Sequence, residues 1–553
     1  MTCSSTPRES GDPPHSSCDG TALDALLDEK PKGHAEATRL VSLMDGAQFF
    51  HSPSGDAFAT VDVEDHQETL QIRSGGFKSL LIHRYYRDCE RASSTQAIYE
   101  AVNLFAARAT CDGPEVPVFI RVAQHGSAIY IDLGGPDWKA VQITAAGYEG
   151  VSRSPVKFYR ARGMAPLPEP QEGGHLSQLR EFVNATDDDL VLAIAWLLAS
   201  LRPTGPYPVL VISGPQGSAK TTLTKILREL LDPSTVTVRA EPKDIRDLMI
   251  AMKNAWCLAL DNLSSLPRWL SDALCRLSTG GGHATRQLHT DFDEVLFEAQ
   301  RPCMLNGIEE LATRSDLLER SLVLNLPAIP DRHRRSEAEL WQSFNLNRPR
   351  LLGALYHAIS VALANPHVHL EHRPRMADFA EWVVAAEGAC PWPKGEFLKV
   401  YRENREDAKR LAVDASPVVV PIRRLLTECK TWKGTATELF GTLTSSVDDT
   451  VRRGTAWPKS VRALTGILRR LQPDLPVAGI EVAFDRATTS DRTRLIALKR
   501  ANCSVAQSSA CTDVAATCFE ADELRRSDDE AEDDLGDLDD PDDSDCRSNP
   551  NPF

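Results

Sequence analysis

The stretch VLVISGPQGSAKTTL, Val209 to Leu223, decides how the chain is read. Val209–Ile212 is a continuous apolar run, as a strand buried on both faces requires. The run breaks at Gly214, passes through a loop of small residues and resumes at Lys220-Thr221-Thr222. TLTKILRELL then places Leu223, Ile226, Leu227 and Leu230 on one helical face. Strand, glycine-bearing loop and helix N-terminus, in that order, offer converging N–H donors, a cation and a hydroxyl. A metal-bound polyphosphate needs all three. Gly214, Pro215, Gln216, Gly217, Ser218, Ala219, Lys220, Thr221 and Thr222 are therefore the candidate nucleotide-binding residues. In this reading Lys220 reaches the β- and γ-phosphates of ATP and Thr221 ligates Mg²⁺. Ala219 stands where the usual pattern has glycine, and the local φ decides what its methyl group costs.

A phosphate-bound metal also needs an acid. WCLALDNLSSL (Trp256 to Leu266) reads as an apolar strand with Asp261 at its C-terminal end, the second candidate Mg²⁺ ligand. The next residue is Asn262, not a glutamate that would activate water, so hydrolysis needs another acid or is slow. A third strand, PCMLNGI (Pro302 to Ile308), ends near Asn306, whose amide suits a γ-phosphate sensor. In ATRSDLLERSLVLNLP (Ala312 to Pro327), Arg320 is the first candidate and Arg314 the second for a finger reaching a neighbouring subunit's ATP. Lys220, Asp261, Asn306 and Arg320 thus form the candidate catalytic set.

The succession GPQGSAKTT, LALDN, LSTGGGHATRQLHTDFDEVLFEAQRPCMLN and LLERSLVLNLP resembles the AAA+-type superfamily 3 helicases. Within them it is similar to the phage- and plasmid-associated primase-helicases of bacterial mobile elements, over about residues 185 to 500. The resemblance implies an ATP-driven ring, often a hexamer, that pulls one DNA strand through its centre. It also implies a DNA-contacting hairpin before the Asn306 strand, here Gly280 to Leu296, with His283, Arg286 and His289 against phosphates. No paired carboxylates are arranged for primase chemistry.

A second informative region lies near the C-terminus. Ser460 is the candidate N-cap of a helix, and Val461, Leu464, Ile467, Leu468 and Leu471 follow helical spacing. IEVAF and RLIALKR read as two strands joined by DRATTSDRT, and PIRRLLTEC and TATELFGTLTSSV as earlier helices. This is a winged helix-turn-helix pattern. From Arg452 to Arg500 there are 11 Lys/Arg against 4 Asp/Glu, a basic island. Lys459, Arg462 and Arg469 on the helix, with Arg492 and Arg494 at the wing, are the candidate DNA contacts.

The remaining sequence sets the frame. The chain has 553 residues and a net charge of −16. Glu520 to Asp545 alone carries 15 Asp/Glu and two Arg, which leaves the first 519 residues near −4. The acidity is thus a tail, not a property of the folded regions. Thirteen cysteines without a CxxC pair suit a reducing compartment. The polar start and the shortness of LVLAIAWLLASL (Leu190 to Leu201) predict no membrane span and a cytoplasmic location. The expected organisation is a disordered lead (1–45), an N-terminal α+β domain (46–165), an α/β P-loop AAA+/superfamily 3 ATPase core (176–330), a helical subdomain (331–415), the winged-helix module (416–500) and a disordered acidic tail (501–553). The Pro- and Gly-rich MAPLPEPQEGG (Met164 to Gly174) reads as a linker. The expected function is a ring-forming, ATP-hydrolysing DNA motor in replication of a phage, plasmid or integrated element. The alternatives are a non-unwinding AAA+ DNA-binding regulator or initiator, and an ATPase whose winged helix binds protein.

Overall fold

A computed structural model describes residues 32–286, 294–298, 300–307, 314–454, 456–486 and 494–501. The first layer forms early. Helix α1 (Lys32–Ser42), the antiparallel sheet β1 (Gln48–His51), β2 (Ala57–Val63) and β3 (His66–Gln71), and helices α2 (Gly75–Cys89) and α3 (Thr95–Ala107) share one core. Leu40, Met44, Phe77, Tyr85 and Phe105 fill it. Ser74 and Ser94 start α2 and α3 by accepting the N–H of Phe77 and Ala97. The disordered lead expected over 1–45 therefore ends earlier. The mostly polar KGHAEATRLVS hides a helix that is held by Leu40.

The next strands, β4 (Val118–Phe119), β5 (Val122–His125), β6 (Ala128–Asp132), β7 (Ala140–Thr144), β8 (Gly147–Val151) and β9 (Lys157–Phe158), do not join that first core. In the meander β5–β8, Val122, Ile129, Ile131, Val141 and Ile143 pack into the same core as the central helices. Arg121 seals the joint. It is fully buried, and its Nε donates to Asp232 Oδ1 at 3.1 Å while Nη1 and Nη2 donate to the carbonyls of Asp132 and Ala165. The stretch Met164–Gly174 is not a free linker either. Leu167 N–H donates to Leu133 O and Gln171 N–H to Pro349 O. Gly353 and Gly174 leave no space for a Cβ against the backbone of Gln171 and Arg350. Two glycines that allow close approach turn a Pro/Gly tract into a packed strap.

The centre is a parallel sheet of β10 (Val209–Ser213), β11 (Leu258–Leu263), β14 (Cys303–Gly307) and β15 (Ser321–Asn325), in the order β11-β14-β10-β15. Its two faces are buried by different partners, so the strands read as unbroken apolar runs. Leu210, Ile212, Ala259 and Met304 share a core with α4 (Asp187–Ser200) and α5 (Lys220–Leu231). Val209, Val211, Leu258, Leu260 and Leu305 share another with α6 (Ile245–Lys253), α7 (Arg268–Thr279) and α8 (Ser315–Leu318). α4 is buried from Asp189 to Ser200, which accounts for its apolar composition all round. Among the described residues no helix is long and apolar enough to cross a membrane. Between α7 and β14, β12 (Gly282–Arg286) and β13 (Glu294–Glu298) pair antiparallel from Gly282↔Glu298 to Arg286↔Glu294.

Three helices, α9 (Glu337–Ala364), α10 (Ala377–Ala386) and α11 (Glu396–Asp414), cover the sheet's β15 side. Asn404 of α11 donates to Val323 O at 2.6 Å and accepts from Val323 N–H at 3.1 Å. This amide side chain pairs with Val323 on the edge that β15 would otherwise leave open.

The last described region is α12 (Val419–Glu428), β16 (Thr431–Thr435), α13 (Ala436–Ser445), α14 (Asp449–Arg453), α15 (Val461–Leu471), β17 (Ile480–Arg486) and β18 (Arg494–Arg500). The three strands form an antiparallel sheet in the order β16-β18-β17. Leu439, Leu443, Leu464, Leu468, Ile496 and Leu498 form its core. Ser460 caps α15 by accepting Ala463 N–H. Strand β16 is absent from the sequence reading because TWKGT has no apolar run. Its place comes from pairing with β18, Thr431↔Lys499 to Thr435↔Leu495.

Candidate functional site

The loop after β10 closes on itself through backbone conformations that side chains resist. Gly214 has φ +144°, Gly217 +78° and Ala219 +65°. At Gly214 a Cβ would sit 2.5 Å from Leu326 O, so only glycine fits there. Ala219 is left-handed (φ 65°, ψ 32°) at the N-cap of α5, which is the conformation a glycine adopts freely. Holding alanine there costs about 1–2 kcal/mol, which the surrounding fold must supply. Ser218 is buried and its Oγ has no hydrogen-bond partner among the described residues. Pro215, Gln216 and Gly217 are exposed, and Thr222 is half-buried on the first turn of α5.

Lys220 Nζ lies over the loop and donates to Gly214 O at 2.7 Å and Pro215 O at 2.9 Å. One residue further, Thr221 Oγ1 donates to Asp261 Oδ1 at 2.9 Å. Because β14 lies between β10 and β11, Asn306 falls between the loop's helix and the end of β11. Its Nδ2 donates to Thr224 Oγ1 at 2.8 Å and its Oδ1 accepts Asn262 N–H at 2.9 Å. Thr224 Oγ1 in turn donates to Lys220 O at 3.0 Å. Two hydrogen-bonded groups result, Thr221–Asp261 and Lys220–Thr224–Asn306–Asn262, and they are joined through the backbone at 220–221 and 261–262. Asn306 is buried, and its amide is already engaged with Asn262 and Thr224. It positions the end of β11, which the sensor expectation did not foresee.

The donor set has a definite chemistry. A hydroxyl and a carboxylate oxygen 2.9 Å apart, beside an ammonium and a strained glycine loop, suit a hard divalent cation with a bound oxyanion. Among the described residues no cluster of three His, Cys, Asp or Glu could hold a metal by itself. A cation at Thr221 and Asp261 would draw its remaining ligands from phosphate and water.

Two arginines stand apart from this group. Arg320 precedes β15, whose Ser321 pairs with Val209 at the start of β10. It therefore lies at the opposite end of the sheet from its own chain's loop, a five-residue strand or ~17 Å away. Its Nη1 donates to Asp316 O at 2.7 Å and Asp316 Oδ1 at 3.0 Å. Its Nε is buried without a partner among the described residues. Arg314 Nη1 donates to Arg268 O and to Asp272 Oδ1 at 2.6 Å.

The DNA candidates divide. Arg286 lies at the end of β12, and His289 is outside the described residues. On α15, Arg462, Gly466, Arg469 and Arg470 are exposed along one side, and the Arg469 guanidinium sits 5.2 Å from the Phe484 ring centroid. Arg494 is exposed at the start of β18, and Arg492 lies outside the described residues. Lys459 departs from the expectation. Its Nζ donates to the carbonyls of Arg452, Arg453 and Gly454 at 2.8–3.1 Å. It caps the C-terminus of α14, where a cation satisfies orphan carbonyls, and its side chain stays exposed.

Sequence reasoning missed two residues here. Asn184 Nδ2 donates to Ser218 O at 3.2 Å and Pro327 O at 2.6 Å, tying the loop to the chain that leaves β15. Arg334, on that chain, reaches the loop at Gly217. Neither belongs to a local pattern, so only the fold reveals them.

Comparison with known proteins adds the context. No curated protein matches the chain. Among solved structures, the apo C-terminal region of NrS-1 is 12% identical and covers 82% of this chain and 97% of its own, at a TM-score of 0.35. JCV helicase bound to an acetamide compound is 13% identical and covers 46% of this chain and 70% of its own, at 0.19. Both scores lie below 0.5, so neither likeness carries an argument. Residues 174–409 match a family described as the actinomycete integrative conjugative element replication protein. Residues 418–510 match the AICE RepA C-terminal domain. Over these two stretches, in this order, the chain is similar to the replication proteins of actinomycete integrative conjugative elements, which supports a role in replication of a mobile element.

Proposed function

We propose that the chain is an ATP-hydrolysing DNA motor of the superfamily 3 type, acting in replication of its element. The observation that carries this is the 2.9 Å approach of Thr221 Oγ1 and Asp261 Oδ1. Two oxygen ligands 40 residues apart meet beside a positive-φ loop and its lysine. In this reading Gly214–Thr222 is a P-loop, whose backbone N–H groups and Lys220 bind and orient the β- and γ-phosphates. Thr221 and Asp261 would hold Mg²⁺, which when bound neutralises phosphate charge. Asn306 keeps Asn262 and Thr224 in place below the γ-phosphate. Arg320, remote from its own loop, serves a neighbouring subunit's ATP in a ring, and reaching out requires it to leave Asp316.

The order α12-β16-α13-α14-α15-β17-β18, with sheet order β16-β18-β17, supports a winged helix. The α15 face of Arg462, Arg469 and Arg470 would enter a groove of DNA. Gly466 between them lets the helix backbone come close. A non-unwinding ATP switch is the second reading, favoured by Asn262 where a water-activating acid would stand.

The test is ATP turnover with and without DNA, in wild type and Lys220→Ala. DNA-stimulated, Mg²⁺-dependent turnover that Lys220→Ala abolishes is expected. Turnover that survives Lys220→Ala would refute the loop assignment. Binding of forked DNA without strand displacement would favour the switch.

A further inference from the structure

We propose that Arg334 is a second cationic contact for the terminal phosphates of the bound nucleoside triphosphate, supplied in cis from outside the loop. The proposal rests on the reading of Gly214–Thr222 as the phosphate loop.

The chain leaving β15 is held over that loop at both ends. On the near side, Leu326 N–H donates to Ser213 O at 2.9 Å, and the Asn184 amide joins Ser218 O and Pro327 O. On the far side, Arg335 Nη1 donates to Glu181 O at 3.0 Å, and Ser336 caps α9 by accepting Glu339 N–H. Between these anchors a short turn, Asp331–His333, leads to Arg334. Arg334 Nη2 lies 3.6 Å from the position a Cβ would take on Gly217, the exposed middle of the loop.

The Arg334 side chain remains 60% exposed, and Asp331, which it meets at 3.2 Å, is 92% exposed. Such a tether is screened and weak, so the guanidinium is available. Gly217 stands three residues before Lys220, whose amine serves the same phosphates. A planar fork at this distance from the loop can give two parallel hydrogen bonds to one phosphate, which lysine cannot. The loop lysine and Arg334 would then flank the phosphates from two different segments. Only the fold brings those segments together, because about 117 residues separate Gly217 and Arg334.

The test is fluorescent ATP and ADP titration of the full chain with Mg²⁺, in wild type, Lys220→Ala, Arg334→Ala, Arg334→Lys and Arg332→Ala. Arg332 is an exposed charge two residues away and controls for net charge. Arg334→Ala is expected to weaken ATP roughly tenfold and ADP much less. Arg334→Lys should recover part of that loss, Arg332→Ala should match wild type, and thermal melts of all variants should coincide. ATP binding unchanged in Arg334→Ala, while Lys220→Ala abolishes it, overturns the proposal and leaves the loop intact as the site. Equal losses for ATP and ADP overturn the assignment to the terminal phosphate. ATP binding retained in Lys220→Ala overturns the loop reading and this proposal with it.

Discussion

Thr221 Oγ1 and Asp261 Oδ1 meet at 2.9 Å, although one opens a helix and the other lies in the C-terminal half of a strand on the far side of β14. The contact exists because β10 and β11 are parallel and both end at the same rim of the sheet. Replacing Asp261 by Ala leaves the loop and Lys220 in place but removes the carboxylate of the proposed cation site. Asp261→Ala is expected to lower Mg²⁺-dependent ATP turnover on the order of 100-fold or more. Thr221→Ser keeps the oxygen and should stay near wild type. Turnover against Mg²⁺ concentration checks both.

Ala219 sits in the left-handed region at φ 65°. Glycine would remove a strain of about 1–2 kcal/mol but return about 0.4–1 kcal/mol to the unfolded chain as entropy. Ala219→Gly is therefore expected to stabilise the chain by up to ~1.6 kcal/mol. Ala219→Val, β-branched in the same conformation, should destabilise it. Urea unfolding of both variants decides, and a stabilised valine variant would contradict the strain argument.

Asn306 is buried and connects Asn262 N–H with Thr224 Oγ1. Alanine would take the acceptor from Asn262 N–H and leave Thr224 Oγ1 with only its bond to Lys220 O, at a cost of about 1–3 kcal/mol in all. Asn306→Ala should lower the unfolding midpoint in urea and also slow turnover, because Asn262 follows Asp261 directly.

These residues show what a sequence discloses. The strands Val209–Ser213, Leu258–Leu263 and Cys303–Gly307 lie where continuous apolar runs predict them, since burial on both faces leaves a local signature. Their order is not local. Nothing near Cys303 says that β14 inserts between β10 and β11. Strand β16 shows the same limit, because TWKGT takes its place by pairing with β18 across about 60 residues. The tract Met164–Gly174 looks like a linker, yet two distant glycine contacts with α9 pack it down. Lys459 looks like a DNA contact by charge, and its three carbonyl partners become visible only once α14 ends beside it.

Asp189 titrates in a partly closed setting at the first turn of α4. Burial, the largest effect, raises its carboxyl above the ordinary 3.8, against hydrogen bonds from Thr186 Oγ1 and Asn325 N–H. A raised folded value means the folded state holds the proton more tightly. Stability from this group is full below 3.8 and falls as pH rises through the folded value. An asparagine at this position would carry no charge, so Asp189→Asn should melt higher than wild type at pH 7, with the gap closing towards pH 4. Melting curves across that range test the sign.

Asp232 is the opposite case and the strongest test of how the meander is joined to the sheet. It accepts from Arg121 Nε at 3.1 Å, Arg228 Nη2 at 3.2 Å, Trp256 N–H at 2.8 Å and Cys257 N–H at 3.1 Å. Burial alone would raise its carboxyl, but Arg228 and Arg121, with the backbone donors, hold it below the ordinary value. Its contribution is thus present above pH 3.8 and lost as pH falls through the depressed folded value. Asp232→Asn leaves two buried guanidinium groups without their counter-ion, at about 3–5 kcal/mol. Pairing it with Arg121→Met removes one of those stranded charges, so the double variant should be less unstable than the sum of the two singles. Additive losses in urea unfolding would mean that Arg121 and Asp232 are not coupled, and that the meander is held by apolar packing alone.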